Sequence, residues 1–209
     1  AIRNIKNCDG DVLIAHSPIM EKELLSSGYS KLSYQFMFND FVILGPISDP
    51  AKIKGIEEPL KAIKNIFLKK SYFFSRGDNS GTHLKEKHLW KKIGLDPQKY
   101  SGDWYMETGT SMGATINTAV GYGGYTLSDR ATWINFENKL DFSILVQGGN
   151  LLYNPYTIIA VNNKKCPTSN FKKSKAFIDW IISRRGQNLI DSFKVNGKQL
   201  FFPSLKKKI

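Results

Sequence analysis

No stretch of the sequence approaches the roughly 18–20 consecutive apolar residues of a membrane-crossing helix. Apolar runs such as residues 157–161 have strand length instead. Cysteine is almost missing, with only Cys8 and Cys166, which excludes a thiolate metal cluster and a disulfide-dense scaffold. Read from the residues alone, the pair is expected as two free thiols, with one disulfide the alternative in an oxidising compartment. Acidic residues are scarce: 18 Asp and Glu face 30 Lys and Arg, a formal net charge of +12. That excess raises three partner classes, namely nucleic acid, anionic membrane and small anions. There is no zinc-finger spacing, basic-zipper heptad or RNA-recognition signature. The lysine pairs at 69–70, 91–92 and 172–173 read as solvated helix faces, so nucleic acid is not an expected partner. There is no Ser–His–Asp or Cys–His arrangement for nucleophilic chemistry, and His83 and His88 stand five apart rather than at the four-residue metal spacing. An enzyme and a metal centre are therefore not expected. No secretory signal is visible, and the opening Ala1-Ile2-Arg3 reads as the tail of a helix.

Apolar residues make up 41% of the chain and aromatics 12%, enough for one substantial core or two smaller ones. Residues 11–15 form a short β-branched strand, and Ser17-Pro18 opens a helix with proline at its first position, stopped at Gly28. A second strand occupies 40–44 and ends at Gly45-Pro46. Residues 59–70 are amphipathic, with Leu60, Ile63 and Phe67 on one face. Strands are expected at 72–74, 125–127, 143–146 and 156–161. Helices are expected at 82–93, from the 108–113 turn to about 120, at 174–185 and at 187–193, the last two separated by Gly186. The four tryptophans, Trp90, Trp104, Trp133 and Trp180, are read as packing residues. Alternating strands and helices indicate an α/β fold with largely parallel sheets.

Two loops carry the chemistry: Ser75-Arg76-Gly77-Asp78-Asn79-Ser80-Gly81-Thr82 and Thr108-Gly109-Thr110-Ser111-Met112-Gly113. Each leads into the first turn of a helix, where backbone N–H groups lack intrahelical acceptors and the dipole is positive. Glycine allows close approach, and Ser and Thr hydroxyls add uncharged donors, a combination suited to a compact anion. Neither loop has the Gly-Lys-Ser/Thr step of nucleotide hydrolases or the dinucleotide fingerprint. Arg76 adds a fixed charge and a planar fork of donors. Asp78 would repel an anion, so its expected work is to accept loop N–H bonds or orient Arg76. The competing reading is that Asn79 and Ser80 only cap one helix, and Thr110 and Ser111 the other.

Further segments fall in a telling order: Asp11-Val12-Leu13-Ile14-Ala15-His16-Ser17-Pro18, then Asn39-Asp40-Phe41-Val42-Ile43-Leu44-Gly45-Pro46, then the Arg76 loop through His83. Trp104-Tyr105, the second glycine loop, Tyr125-Thr126-Leu127-Ser128-Asp129-Arg130 and Phe193-Lys194-Val195-Asn196-Gly197 follow. Over essentially the whole chain this resembles the periplasmic tungstate-binding proteins of ABC importers. The resemblance implies a type II periplasmic-binding-protein fold: α/β, two lobes, with a mixed, largely parallel sheet in each. Lobe 1 would hold residues 1–44 and 160–209, and lobe 2 residues 45–159. It also implies a leading strand and a Thr/Ser-rich oxyanion loop ahead of residue 11 that this sequence does not contain, so the sequence is expected to be a piece of a longer protein.

The implied function is the substrate-binding component of an ABC importer that captures a tetrahedral oxyanion, tungstate first and molybdate next. The alternative is the ligand-sensing effector domain of a transcription regulator with the same fold. Arg76 and Thr82 match the family's oxyanion-contacting arginine and threonine. Ser75, Ser80, Gly81, Thr110, Ser111, Met112, Thr126 and Ser128 are expected around them. Asp78, Asp129, Arg130 and His16 are supporting candidates, with Asp129 and Arg130 pairing with each other or with a neighbouring loop. No cofactor is expected. The implied partners are the oxyanion and a membrane permease, with the protein a monomer, periplasmic or lipid-anchored outside the cytoplasm.

Overall fold

The computed structural model describes residues 2–207. In chain order the elements are α1 (Ile2–Lys6), β1 (Val12–Ala15), α2 (Pro18–Ser26), β2 (Ser30–Pro46), α3 (Pro59–Leu68), β3 (Phe73–Ser75), α4 (Gly81–Lys92), β4 (Tyr105–Glu107) and α5 (Met112–Tyr122). There follow β5 (Tyr125–Asp129), α6 (Arg130–Asn135), β6 (Phe142–Val146), β7 (Tyr153–Val161), α7 (Phe171–Ile182), α8 (Arg184–Ser192), β8 (Lys194–Val195), β9 (Lys198–Gln199) and β10 (Phe202–Lys207). The chain divides into two compact units, Ala1–Asn39 with Asn154–Ile209, and Asp40–Tyr153. The expected crossings after residues 44 and 159 thus fall inside the second and first unit respectively. Strand β2 pairs with β10 as far as Phe38 and with β5 from Phe41, so its pairing changes well before its apolar run ends. Among the described residues no helix is long and apolar enough to cross a membrane.

In the first unit β1 pairs antiparallel with β7, from Val12↔Ala160 to Ala15↔Thr157, and β10 pairs antiparallel with β2. Leu13, Ala15, Ile159 and Val161 alternate onto one face and pack with Ile5, Leu24 and Cys166. Phe36, Ile158, Ala160 and Ile178 form the core on the other side. Burial on both faces explains why residues 157–161 read as an unbroken apolar run. Cys8 and Cys166 are joined in a disulfide, with Cα atoms 5.3 Å apart. The expectation of two free thiols is therefore overturned: α1 and the turn after β7 bring together residues separated by 158 positions.

The second unit is a three-layer α/β/α arrangement. The tail of β2 pairs antiparallel with β5 and β6, while β3 lies parallel between β5 and β4. Along β2, Phe41 and Ile43 enter a core with Ile63, Ile66, Leu89, Trp90 and Trp104. Val42 and Leu44 face the opposite core with Met112, Ile116, Ala119 and Trp133. Helices α3 and α4 thus cover one face, and α5 and α6 the other. The sheets are mixed, as expected, but the parallel pairs described are β3 with β4 and β3 with β5; the others are antiparallel.

Two local expectations change. Gly186 does not separate the last two helices; Ser183 does, closing α7 and capping α8 with its hydroxyl on the Gly186 N–H. A Cβ at Gly186 would lie 2.4 Å from the Ile181 and Trp180 carbonyl oxygens, so close backbone approach explains that glycine. Trp180 is not a core residue: it is 42% exposed and stacks on Phe177, whereas Trp90, Trp104 and Trp133 are buried.

Closing so long a loop constrains the unfolded chain. Replacing both Cys8 and Cys166 by serine, or reducing the bond, is expected to cost about 2–5 kcal/mol. The midpoint of thermal unfolding should fall accordingly. An unchanged midpoint would show that the bond contributes nothing.

Candidate functional site

Strands β5, β3 and β4 run parallel in that order, so their carboxyl ends reach the same edge of the sheet. In open α/β sheets that edge is where ligands sit. Both glycine-rich loops leave from it. One follows Ser75 at the end of β3, the other follows Glu107 at the end of β4, and Ser75 and Glu107 are register partners. The loops are tied directly. The Ser75 carbonyl accepts from the Thr108 N–H at 2.9 Å and from the Thr108 hydroxyl at 3.0 Å. Thr108 in turn shares hydroxyl bonds with Thr115 at 2.8 Å and Thr110 at 3.2 Å.

The first loop folds around its own side chains. Gly77 has φ +62°, and a Cβ there would lie 2.9 Å from Glu107 Cβ, so two constraints require glycine. The Gly77 N–H donates to the Ser75 hydroxyl at 3.3 Å. Asp78 receives the Arg76 guanidinium and the Ser80 N–H. Burial alone would raise the Asp78 pKa, but bonds from Ser80 and the Arg76 charge bring it below the usual value. Ser80 caps α4, accepting the His83 N–H. The His83 ring, 2% exposed, accepts the Asn79 N–H on Nδ1 at 3.0 Å, so the neutral ring carries its proton on Nε2. Burial lowers the His83 pKa, and Lys87 adds to the effect.

Two donors at this junction are left over. Arg76 Nε and His83 Nε2 are both buried and have no hydrogen-bond partner among the described residues. Buried donors without acceptors are costly and uncommon. His83 was not expected among the site residues, because a histidine at the third position of a helix looks like any other helical residue until its Nδ1 is seen to be occupied.

The second loop places Ser111 as the cap of α5, its hydroxyl accepting the Ala114 N–H. Thr110 and Ser111 are exposed, while Met112 is buried in the apolar core and can offer only its backbone N–H. A capping hydroxyl still has its own proton to donate, so capping and ligand contact are compatible. Thr82 is buried in the first turn of α4, next to Gly81.

The remaining candidates have other engagements. On β5 the Thr126 hydroxyl donates to the Phe74 carbonyl at 2.8 Å and the Ser128 hydroxyl to the Asp129 carbonyl at 3.0 Å. Asp129 caps α6, accepting the Thr132 N–H and hydroxyl. Arg130 does not pair with Asp129. Its fork grips both oxygens of Asp40 at 2.6 Å and reaches Gln147, a long-range bidentate pairing that local spacing cannot reveal. His16 lies in the first unit, bonded to Asn154 at 3.2 Å and stacked on Tyr156.

Comparison with known proteins identifies the family. A family model described as a PBP superfamily domain matches residues 1–185. The chain is 41% identical over 209 residues to a protein of Haloferax volcanii, taking in 98% of this chain and 60% of that relative's length. To the tungstate-binding protein TupA of Campylobacter jejuni it is 40% identical over 207 residues, 96% of this chain and 75% of that one. The solved structure of the tungstate-binding protein TupA from Desulfovibrio alaskensis G20 superposes with a TM-score of 0.89 at 41% identity, covering 99% of this chain and 83% of that one.

The strained glycine offers a test of the loop. Gly77→Ala should destabilise the protein by more than about 1 kcal/mol in urea titrations, since alanine at positive φ is disfavoured even before the Glu107 clash. A neutral substitution would mean that the loop relaxes freely.

Proposed function

This chain belongs to the periplasmic-binding-protein superfamily, and on that premise we propose that it is the substrate-binding component of an ABC importer, capturing a tetrahedral oxyanion, tungstate first and molybdate next. One observation carries the reading. Arg76 and two helix N-termini stand at the carboxyl edge of three parallel strands, with buried Arg76 Nε and His83 Nε2 donors that no described residue accepts. A dianion supplies the acceptors that these donors need and meets the positive ends of α4 and α5. The relatives named as tungstate-binding proteins support the choice of ligand.

Arg76 supplies charge, held in place by Asp78. Thr82, Ser80, Gly81 and Ser75 offer donors from the first loop, and Thr110, Ser111 and the Met112 N–H from the second. Thr126 and Ser128 donate within the sheet, so their part is to fix the edge. Arg130 and Asp129 hold the corner between β5 and α6. Nothing in this arrangement performs covalent chemistry. The protein binds, closes on its ligand and presents it to a membrane permease. The Cys8–Cys166 disulfide favours an oxidising compartment outside the cytoplasm. Relatives at this identity are named as binding proteins, which favours transport over the regulator alternative.

Calorimetric titration with tungstate, molybdate, sulfate and phosphate tests the reading. Tungstate should bind most tightly. Arg76→Ala should weaken it by on the order of 10- to 100-fold, the worth of a charge-assisted hydrogen bond. Failure of every oxyanion to bind the full-length protein would sink the proposal.

A further inference from the structure

Among the described residues, Arg76, Arg130 and Lys85 bring positive charge to the carboxyl edge of the second unit's sheet, and two of them are already matched. Arg76 is paired with Asp78 at 2.5 Å and Arg130 with Asp40 at 2.6 Å, so each pair is neutral as a unit. Lys85, on α4, has no such match. Its ammonium donates to the Leu151 carbonyl at 3.0 Å and the Tyr153 carbonyl at 3.2 Å, and stands 5.5 Å from the centre of the Phe41 ring. None of the ion pairs among the described residues includes it.

The partners of Lys85 fix where its charge lies. Phe41 is the register partner of Asp129, the last residue of β5, and the Phe41 N–H donates to the Leu152 carbonyl at 2.8 Å. Strand β5 passes Thr126, the partner of Phe74, before it reaches Asp129. Residues 151–153, Phe41 and the Lys85 ammonium therefore stand at the carboxyl end of β5, beside the end of β3 from which the Arg76 loop departs. Helix α4 runs away from that edge, but helical side chains lean toward the N-terminus. Lys85 is only about 6 Å along the axis from Gly81, where α4 starts. The acids of the same edge are engaged elsewhere. Asp129 accepts from Thr132, and Glu107 from the Gln98 amide and the Ser101 hydroxyl.

We propose that Lys85 supplies the uncompensated positive charge that a bound dianion meets, acting through space from behind the first turn of α4 rather than by contact. This inference rests on the functional reading above and divides its labour. Arg76 offers hydrogen bonds in a fixed direction while Asp78 balances its charge; Lys85 offers charge without a counter-ion. Drawing an ammonium partly out of water is costly, and two neutral carbonyls and a ring face offset only part of that cost. Burial lowers the Lys85 pKa from its ordinary value, in keeping with a cation that has no carboxylate beside it. The ligand provides the missing negative charge.

Two effects of opposite sign follow. Removing the charge relieves the free protein of a poorly solvated cation, so its stability holds or rises. The same removal weakens the complex. A lysine that served only as a peg between α4 and residues 151–153 would lower both together.

The experiment is calorimetric titration of full-length wild type, Lys85→Gln and Lys85→Arg with tungstate, alongside thermal unfolding of each protein without ligand. Glutamine keeps an amide donor for the Leu151 and Tyr153 carbonyls and loses the charge; arginine keeps the charge. Lys85→Gln should weaken tungstate binding by on the order of tenfold or more, with a ligand-free unfolding midpoint equal to that of wild type or higher. Lys85→Arg should recover most of the lost affinity. If Lys85→Gln does not fold, Lys85→Met removes the same charge on an apolar stem and carries the same expectations. A ligand-free midpoint that falls along with affinity, or failure of both charge-removing variants to fold, marks Lys85 as a structural peg and overturns the inference. Tight tungstate binding by wild type that is unchanged in Lys85→Gln overturns it as well. No tungstate binding by wild type overturns the functional reading beneath it.

Discussion

The Ser75 carbonyl accepts two hydrogen bonds from Thr108, one from the N–H and one from the hydroxyl, and the candidate site depends on that clamp. It joins the end of β3 to the loop after β4, fixing two helix N-termini relative to each other at one sheet edge. The residue is fully buried, so its carbonyl must be satisfied internally. Thr108 meets that need, and its hydroxyl network extends to Thr110 and Thr115. Gly77 then allows the first loop to pass close to Glu107, and the chain turns so that Asp78 can hold Arg76. Without the clamp, Arg76 and the α5 cap would be independent features of two loops.

The sheet places this edge, and the two cores set the sheet. Phe41 and Ile43 face one core and Val42 and Leu44 the other, so β2 is buried on both sides and its register is strongly specified. The parallel β5-β3-β4 order follows with helices on both faces. On the opposite end of the same logic, Arg130 locks β5 to Asp40 at the start of the unit. These are local, rigid supports for a site whose donors must be held before a ligand arrives.

Much of this was legible in the sequence because it is written locally. Helix N-caps, the proline at the start of α2 and the glycine-rich turns are signals within a few residues, and they put both loops at helix starts. The amphipathic pattern of α3 found its helix, although Ala62 and Ile66 prove as buried as Ile63, while Leu60 and Phe67 are only partly buried. What escaped depends on partners distant in sequence. The three-residue strand β4 is too short for a period to show and exists because β3 lies beside it. The Cys8–Cys166 bond and the Arg130–Asp40 pair span 158 and 90 positions, and no spacing rule reaches that far. Thr126 reads as a free donor until the Phe74 carbonyl is seen opposite.

The most direct test of the central claim is diffraction from crystals of the tungstate-soaked full-length protein, with anomalous scattering used to locate tungsten. The account predicts one tungsten peak off the carboxyl ends of β3 and β4, with oxyanion oxygens within hydrogen-bonding distance of Arg76 and the first turn of α4. A peak elsewhere, or none at saturating tungstate, would contradict it.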